Sequence, residues 1–431
     1  MVLYHNCRVD ALQSGAKSAI IAPMSTSRKI LLLAGEESGL FYAERLKAAL
    51  TQAAVARGEV EPEFRGYGDY GFKTVDLAVM GILPVLKKLF YFLGVARTMK
   101  GAIDDWKPDD VVTIDYPGMN LKLAAYAKAK GIPAIHVVCP QVWAWHRGRV
   151  PKIAAALSKL LCFFPFEPAI FRAHVADGKF EAKFIGHPLV DIVGEEVARL
   201  KNGFGERLAE LQAVGKRRLV ALLPGSRKGE IERIFPRQIA AAKLLNAKLA
   251  DLFFVVPAAS PRARRLIEAE LARTPVANLL VVDGHARDVL RAADAAAVAS
   301  GTATLEAALA RVPTALVFAT TPTFAWFLRY FVTGVRFAGL ANIVWERCAY
   351  GGDDPPKRRP GEGPGKGGPM PELLQEEFTP EALAELLGGW LTSPEVRAEA
   401  VRRLDETLAL FRSDGDALGN AAREILDTKA V

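Results

Sequence analysis

Nine short runs in this chain are apolar on both faces, and each is separated from the next by a longer stretch with helical spacing. Strands of that kind are buried on both sides, which is the pattern of parallel sheets covered by helices. The runs are Lys29–Ala34, Asp110–Asp115, Ala134–Cys139, Leu160–Phe164, Arg218–Leu223, Leu252–Pro257, Leu279–Asp283, Ala295–Ser300 and Pro313–Ala319. Repetition of β-helix-β units predicts an α/β protein of doubly wound, Rossmann-like domains with ligands at the carboxyl ends of strands. The 431 residues, 51% hydrophobic, suffice for two or three domains with real cores.

We place the domain limits from composition. Residues 1–28 form an N-terminal extension that is either disordered or upstream of a start at Met24. Residues 29–190 and 191–395 form two domains, divided after Gly186-His187-Pro188. A Gly/Pro-rich loop, 351–369, is expected to be mobile, and 396–431 to be helices that pack back on the first domain. His187 at the passage reads first as a satisfied structural histidine.

Lys and Arg exceed Asp and Glu by 56 to 48, a net charge of +8 that suits anionic ligands or an anionic membrane surface. Nucleic acid is not expected, because no basic stripe is interleaved with aromatics. Cys7, Cys139, Cys162 and Cys348 form no C-x-x-C pair, so they read as free thiols of a reducing compartment. No run approaches the ~20 apolar residues of a spanning helix.

Chemistry concentrates at strand ends. Leu219–Glu230 runs from a buried strand into Pro-Gly-Ser-Arg and then a helix, so Gly225, Ser226 and Arg227 are expected to hold a diphosphate on backbone N–H groups and a guanidinium. Ser300-Gly301-Thr302 repeats the arrangement, and Glu306 is suited to the vicinal hydroxyls of a ribose, or to compensating the helix dipole. In the first half, Glu36 and Ser38 sit in the turn after Lys29–Ala34. Asp115, delivered by a buried strand, serves as a general base or as the cap of the next helix. Trp143 and Trp145 with His146 and Arg147 suggest a wall for an amphipathic anionic ligand. Leu77–Val95, including Met80, Leu89 and Phe90, is either an interfacial helix or core.

Taken in order, Ala34-Gly-Glu-Glu-Ser-Gly39, Leu77-Ala-Val-Met-Gly-Ile82, Ile114-Asp-Tyr-Pro117, Val142-Trp-Ala-Trp145, Phe164-Pro-Phe-Glu167, Phe184-Ile-Gly-His187, Leu222-Leu-Pro-Gly-Ser-Arg227, Ala299-Ser-Gly-Thr302 and Leu374-Gln-Glu376 resemble the lipid-A-disaccharide synthase family. The resemblance runs from Lys29 to the C-terminus. It implies a GT-B fold and inverting transfer of 2,3-diacylglucosamine from UDP-2,3-diacylglucosamine to the 6-hydroxyl of 2,3-diacylglucosamine 1-phosphate, at the cytosolic face of the bacterial inner membrane. Under it Asp115 becomes the general base and Glu36 an acceptor contact, while Asn342 and Gln375 look into the cleft from the donor side. No cofactor or metal is implied; Asp414-Gly415-Asp416 only mimics a metal-binding DxD, and a homodimer is left open. Leu40 and Gly118-Met119 depart from the family pattern near the acceptor. The alternatives are a GT-B relative acting on non-acylated UDP-N-acetylglucosamine and an inactive nucleotide- or lipid-binding protein.

Overall fold

The computed structural model describes residues 27–35, 37–72, 89–175, 178–199, 208, 217–332, 334–351 and 367–429. Residues 1–26 of the N-terminal extension, with the Met24 start, and Glu36, Met80 and the central part of the Gly/Pro-rich loop lie outside the described residues.

Each apolar run becomes a strand, and the strands assemble into two all-parallel six-stranded sheets. The first is ordered β2-β1-β3-β4-β5-β6, from Glu63–Arg65 (β2), Lys29–Ala34 (β1), Asp110–Ile114 (β3), Ala134–Val137 (β4), Lys159–Cys162 (β5) and Glu181–Phe184 (β6). The second is ordered β12-β11-β10-β7-β8-β9. Its strands are Glu372–Leu374 (β12), Thr314–Phe318 (β11), Ala295–Ala299 (β10), Arg218–Leu223 (β7), Leu252–Ala258 (β8) and Leu279–Asp283 (β9). Central strands such as β3, β4, β5 and β10 are buried along their whole length. Two-sided burial is why their sequences lack polar alternation.

The C-terminal helices divide between the halves. Pro380–Thr392 packs on the long Lys228–Lys248 helix, and Pro394–Ala409 on Leu340–Ala349, so both belong to the second half. The chain then crosses back, and Ala417–Leu426 lies on the Glu37–Ala56 helix of the first. Polar contacts hold the crossing: the His187 N–H donates to the Phe411 carbonyl (3.0 Å), and Ser413 Oγ donates to the Ile185 carbonyl (2.6 Å). Asp416 caps the last helix by accepting the Gly419 N–H (2.9 Å), which gives the second of the two aspartates there a structural role. Arg28 fastens the far end, pairing with buried Asp110 and donating to the Leu426 carbonyl.

Candidate active site in the cleft

The carboxyl edge of the first sheet is built from strained turns. Asp115 and Tyr116 after β3 and Val138 after β4 all hold positive φ (49°, 50° and 77°), a region that non-glycine residues enter only when their surroundings enforce it. The enforcing residue at Asp115 is Asn120, fully buried in the helix Pro117–Ala129. Its Nδ2 donates to the carbonyls of Leu33, Ile114 and Asp115 (3.2, 3.2 and 2.8 Å), and its Oδ1 accepts from the Tyr67 hydroxyl (2.7 Å). One side chain thus ties the ends of β1 and β3 to the turn that presents Asp115.

Asp115 faces a cavity of about 360 Å³. The first half supplies the turns after β3, β4 and β5. The second half supplies Thr302, Leu305 and Leu340, from the starts of helices Thr302–Leu309 and Leu340–Ala349. The start of Thr302–Leu309 has no side-chain cap, so backbone N–H groups there are available to an anion, whereas at Leu340–Ala349 the Glu372 carboxylate already accepts the N–H groups of Ala338 and Gly339 (2.9 Å each). Burial raises the Asp115 carboxyl above the ordinary aspartate value, opposed only by the N–H of Tyr116, which donates to Oδ1 (2.8 Å). The cap position of Pro117–Ala129 itself falls to Tyr116, without a side-chain hydrogen bond.

Three strand ends of the second sheet carry the residues expected to hold the nucleotide. Register pairs Leu223 of β7 with Val298 of β10, Val317 of β11 with Ala299, and Phe318 with Leu374 of β12. Gly225 and Ser300 therefore follow adjacent strands, and Gln375 follows β12, which lies beyond β11 along the same edge. Gln375 is anchored there, its N–H donating to the Phe318 carbonyl and its Oε1 accepting the Thr320 N–H. The Gly225 turn already holds an anion of its own: Glu230 Oε2 accepts the N–H groups of Ser226 and Arg227 (3.2 Å each), and Oε1 accepts from Arg227 Nη1 (3.0 Å). A Cβ on Gly225, at φ 98°, would collide with that carboxylate. Glu306 pairs with Arg287 (2.9 Å). Tyr42, on the cavity wall, is pushed up to about 12, first by burial and next by the charge of Glu306, with Asp115 a smaller contributor.

Three expectations change. Trp143 does not share a ligand wall with Trp145: it is buried, its Nε1 donating to Glu167 (3.1 Å) and its ring packed on Phe164 and Phe166. Trp145, 53% exposed, is the member that lines the cavity. Asn342 does not look into the cleft, because burial forces every polar atom to find a partner: Nδ2 donates to the Met370 carbonyl and to Glu372, and Oδ1 accepts the Met370 N–H. The apolar segment is of mixed character where it is described. In the helix Leu89–Trp106, Val95 and Met99 are core, while Phe90 is 87% and Leu93 58% exposed. The side chains of Ser38 and Leu89 lie outside the description.

Glu167 and Arg347, to which sequence reasoning gave no role, have structural signatures, and His187, Cys139 and Cys162 sit as the expected structural histidine and free thiols. Glu167 is buried, accepts from Trp143 and the Phe164 N–H, and burial pushes it up to about 8. Arg347, also buried, reaches from the second half to donate to the carbonyls of Trp143 (3.0 Å) and Gly334 (2.9 Å), and desolvation brings it down to about 10. His187 is packed among Phe163, Phe164 and Phe411, and burial pushes it down to about 3. Cys139 and Cys162 are buried free thiols. With Glu167 they form a buried donor cluster on the cavity side of β4 and β5.

Two parallel sheets with carboxyl edges facing across a cleft, a desolvated carboxylate on one side and helix starts on the other, define a protein of GT-B architecture. The fold is shared with the UDP-N-acetylglucosamine 2-epimerase of Neisseria meningitidis solved with UDP-N-acetylglucosamine (TM-score 0.54, 13% identity, covering 93% of this chain and 98% of that one). It is also shared with an α,α-trehalose 6-phosphate synthase of Burkholderia multivorans (TM-score 0.54, 14% identity, 93% and 99%). Residues 30–350 match the sequence profile of Lipid-A-disaccharide synthetase. The chain is 34% identical over 420 residues to the lipid-A-disaccharide synthase of Xanthomonas campestris pv. campestris (strain 8004), covering 94% of this chain and 87% of that protein. It is 33% identical over 417 residues to that of Saccharophagus degradans, covering 95% and 98%. The chain belongs to the lipid-A-disaccharide synthase family.

Proposed function

We propose that the cleft joins two acylated glucosamines with Asp115 as the base. The acceptor, 2,3-diacylglucosamine 1-phosphate, presents its 6-hydroxyl to Asp115, which takes the proton as the oxygen attacks the anomeric carbon of UDP-2,3-diacylglucosamine. Attack from the face opposite the leaving group inverts that centre, and UDP departs. Gly225, Ser226, Arg227 and the Ser300-Gly301-Thr302 turn hold the diphosphate, where fixed N–H donors stabilise the charge that grows as the bond breaks. Glu306, oriented by Arg287, takes the ribose hydroxyls. Gln375 flanks the same edge.

One observation carries this reading: among the described residues, the only acid group on the cavity wall held in an enforced positive-φ turn is Asp115, and burial keeps it more basic than an ordinary aspartate. Both substrates carry acyl chains, so the enzyme works at the cytosolic face of the inner membrane, with exposed Phe90 and Leu93 near the lipid. No helix among the described residues is long and apolar enough to cross a membrane. Release of UDP in detergent from the diacylated donor, compared with UDP-N-acetylglucosamine, tests the assignment. Turnover of the diacylated donor alone is expected; equal turnover of both favours a transferase acting on non-acylated sugars.

A further inference from the structure

A second cavity, of about 240 Å³, lies away from Asp115, between the helix Pro322–Phe331 and the ends of β11 and β12. The helix contributes Ala325 and Leu328 to it, and the sheet edge contributes Phe318 and Leu374. Val335 and Phe337 close the floor. This volume is below that of ordinary small-molecule pockets, and the lining is mainly apolar, with Arg329, Arg336, Glu376 and Glu377 also contributing, which suits a narrow hydrocarbon better than a sugar or a nucleotide.

Its position ties it to the donor. Gln375 and Ala338 line the groove, and the Ala338 carbonyl accepts from Ser300 Oγ (3.4 Å), so groove and nucleotide edge share a wall. Its outer wall has the character of an interfacial helix. Phe324, Trp326, Phe327 and Tyr330 are each more than 40% exposed, and residues 319–338 contain Arg329 and Arg336 but no acidic residue. Gly334, just beyond the helix, is seated on the tryptophan loop of the first half, where a Cβ would come within 2.5 Å of the Ala144 carbonyl oxygen and 2.6 Å of that of Trp143. The segment that follows the exposed aromatics thus adjoins the loop that carries Trp145.

We propose that this groove receives a fatty acyl chain of the sugar-nucleotide donor, and that the aromatic face of Pro322–Phe331 guides the chain in from the bilayer. The inference rests on the donor assignment made above. With the donor's diphosphate at Ser226 and Ser300, the groove accepts a chain leaving the sugar past Ala338, and the apolar walls reward each methylene they cover.

The test fills the groove of the full-length protein. Ala325→Phe is compared with the unaltered chain for kcat/KM on UDP-2,3-diacylglucosamine with long chains, on the analogue with acetyl groups in their place, and for UDP affinity. A loss of about tenfold or more on the long-chain donor, with the acetyl analogue and UDP affinity unchanged, is expected. Equal effects on both donors, or none, overturn the proposal. Leu328→Ala, which widens the groove without intruding on the helix, carries the same comparison should the larger side chain lower UDP affinity. The donor assignment is read separately: unchanged UDP affinity in Arg227→Ala overturns that reading, whichever way the chain-length comparison falls.

Discussion

Asn120 Nδ2 donates to the Asp115 carbonyl at 2.8 Å, so the residue assigned as the base is held by an amide five positions along the chain. The same Nδ2 also serves Leu33 and Ile114, which makes Asn120 the knot between β1, β3 and the cleft. Asn120→Ala leaves buried carbonyls without a donor, and each unsatisfied group costs about 1–3 kcal/mol. The variant is expected to unfold at lower denaturant and to lose turnover more than UDP affinity; urea melts and calorimetry of UDP binding check both.

The Asp115 carboxyl is raised by burial, and the sign of its effect on stability follows. A carboxyl with a folded pKa above its unfolded value contributes stability that is fully present below the unfolded pKa and lost as pH rises through the folded one. At neutral pH the ionised group is therefore a cost. Asp115→Asn is expected to raise Tm at pH 7, with the difference from the unaltered chain shrinking in acid. The acid limb of kcat/KM is expected above the usual aspartate range.

Glu167 gives a second pH signature in a different window. Burial pushes it up to about 8, so its contribution is present below the ordinary glutamate value and lost as pH rises through about 8. Thermal stability of the unaltered protein should fall across that upper window. Glu167→Gln should flatten the fall, and parallel melts from acid to alkaline pH measure it.

Glu230 occupies the N–H groups of Ser226 and Arg227 that the diphosphate is assigned to use. Removing its charge lowers the competition, so Glu230→Gln is expected to bind UDP more tightly. The helix Lys228–Lys248 loses part of its capping box in return, a cost of about 0.5–2 kcal/mol. Calorimetry reads the first effect and a thermal melt the second. Weaker UDP binding would place the diphosphate elsewhere.

The sequence made the central strands legible because burial on both faces leaves a continuous apolar run. Three of the four edge strands leave no such mark: Glu63–Arg65, Glu181–Phe184 and Glu372–Leu374 are short and partly exposed, and none of them stood out, whereas the fourth, Leu279–Asp283, is apolar in sequence although largely uncovered. Turns at strand ends were legible through Gly, Ser and acidic residues. What the side chains there do was less so, because a tryptophan or asparagine in such a turn reads the same whether it faces ligand or core. Trp143 turned inward to Glu167, and Asn342 to Met370 and Glu372. Asn120 and Arg347 act across distances of 87 and 204 residues, which no local pattern records.

The central claim is that Asp115 removes the acceptor proton. Single-turnover UDP release by Asp115→Asn, with UDP-2,3-diacylglucosamine and 2,3-diacylglucosamine 1-phosphate both saturating, tests it directly when paired with UDP affinity on the same sample. A fall of roughly 10²–10⁴ in rate at unchanged UDP affinity is predicted. A rate within a few-fold of the unaltered protein would contradict it.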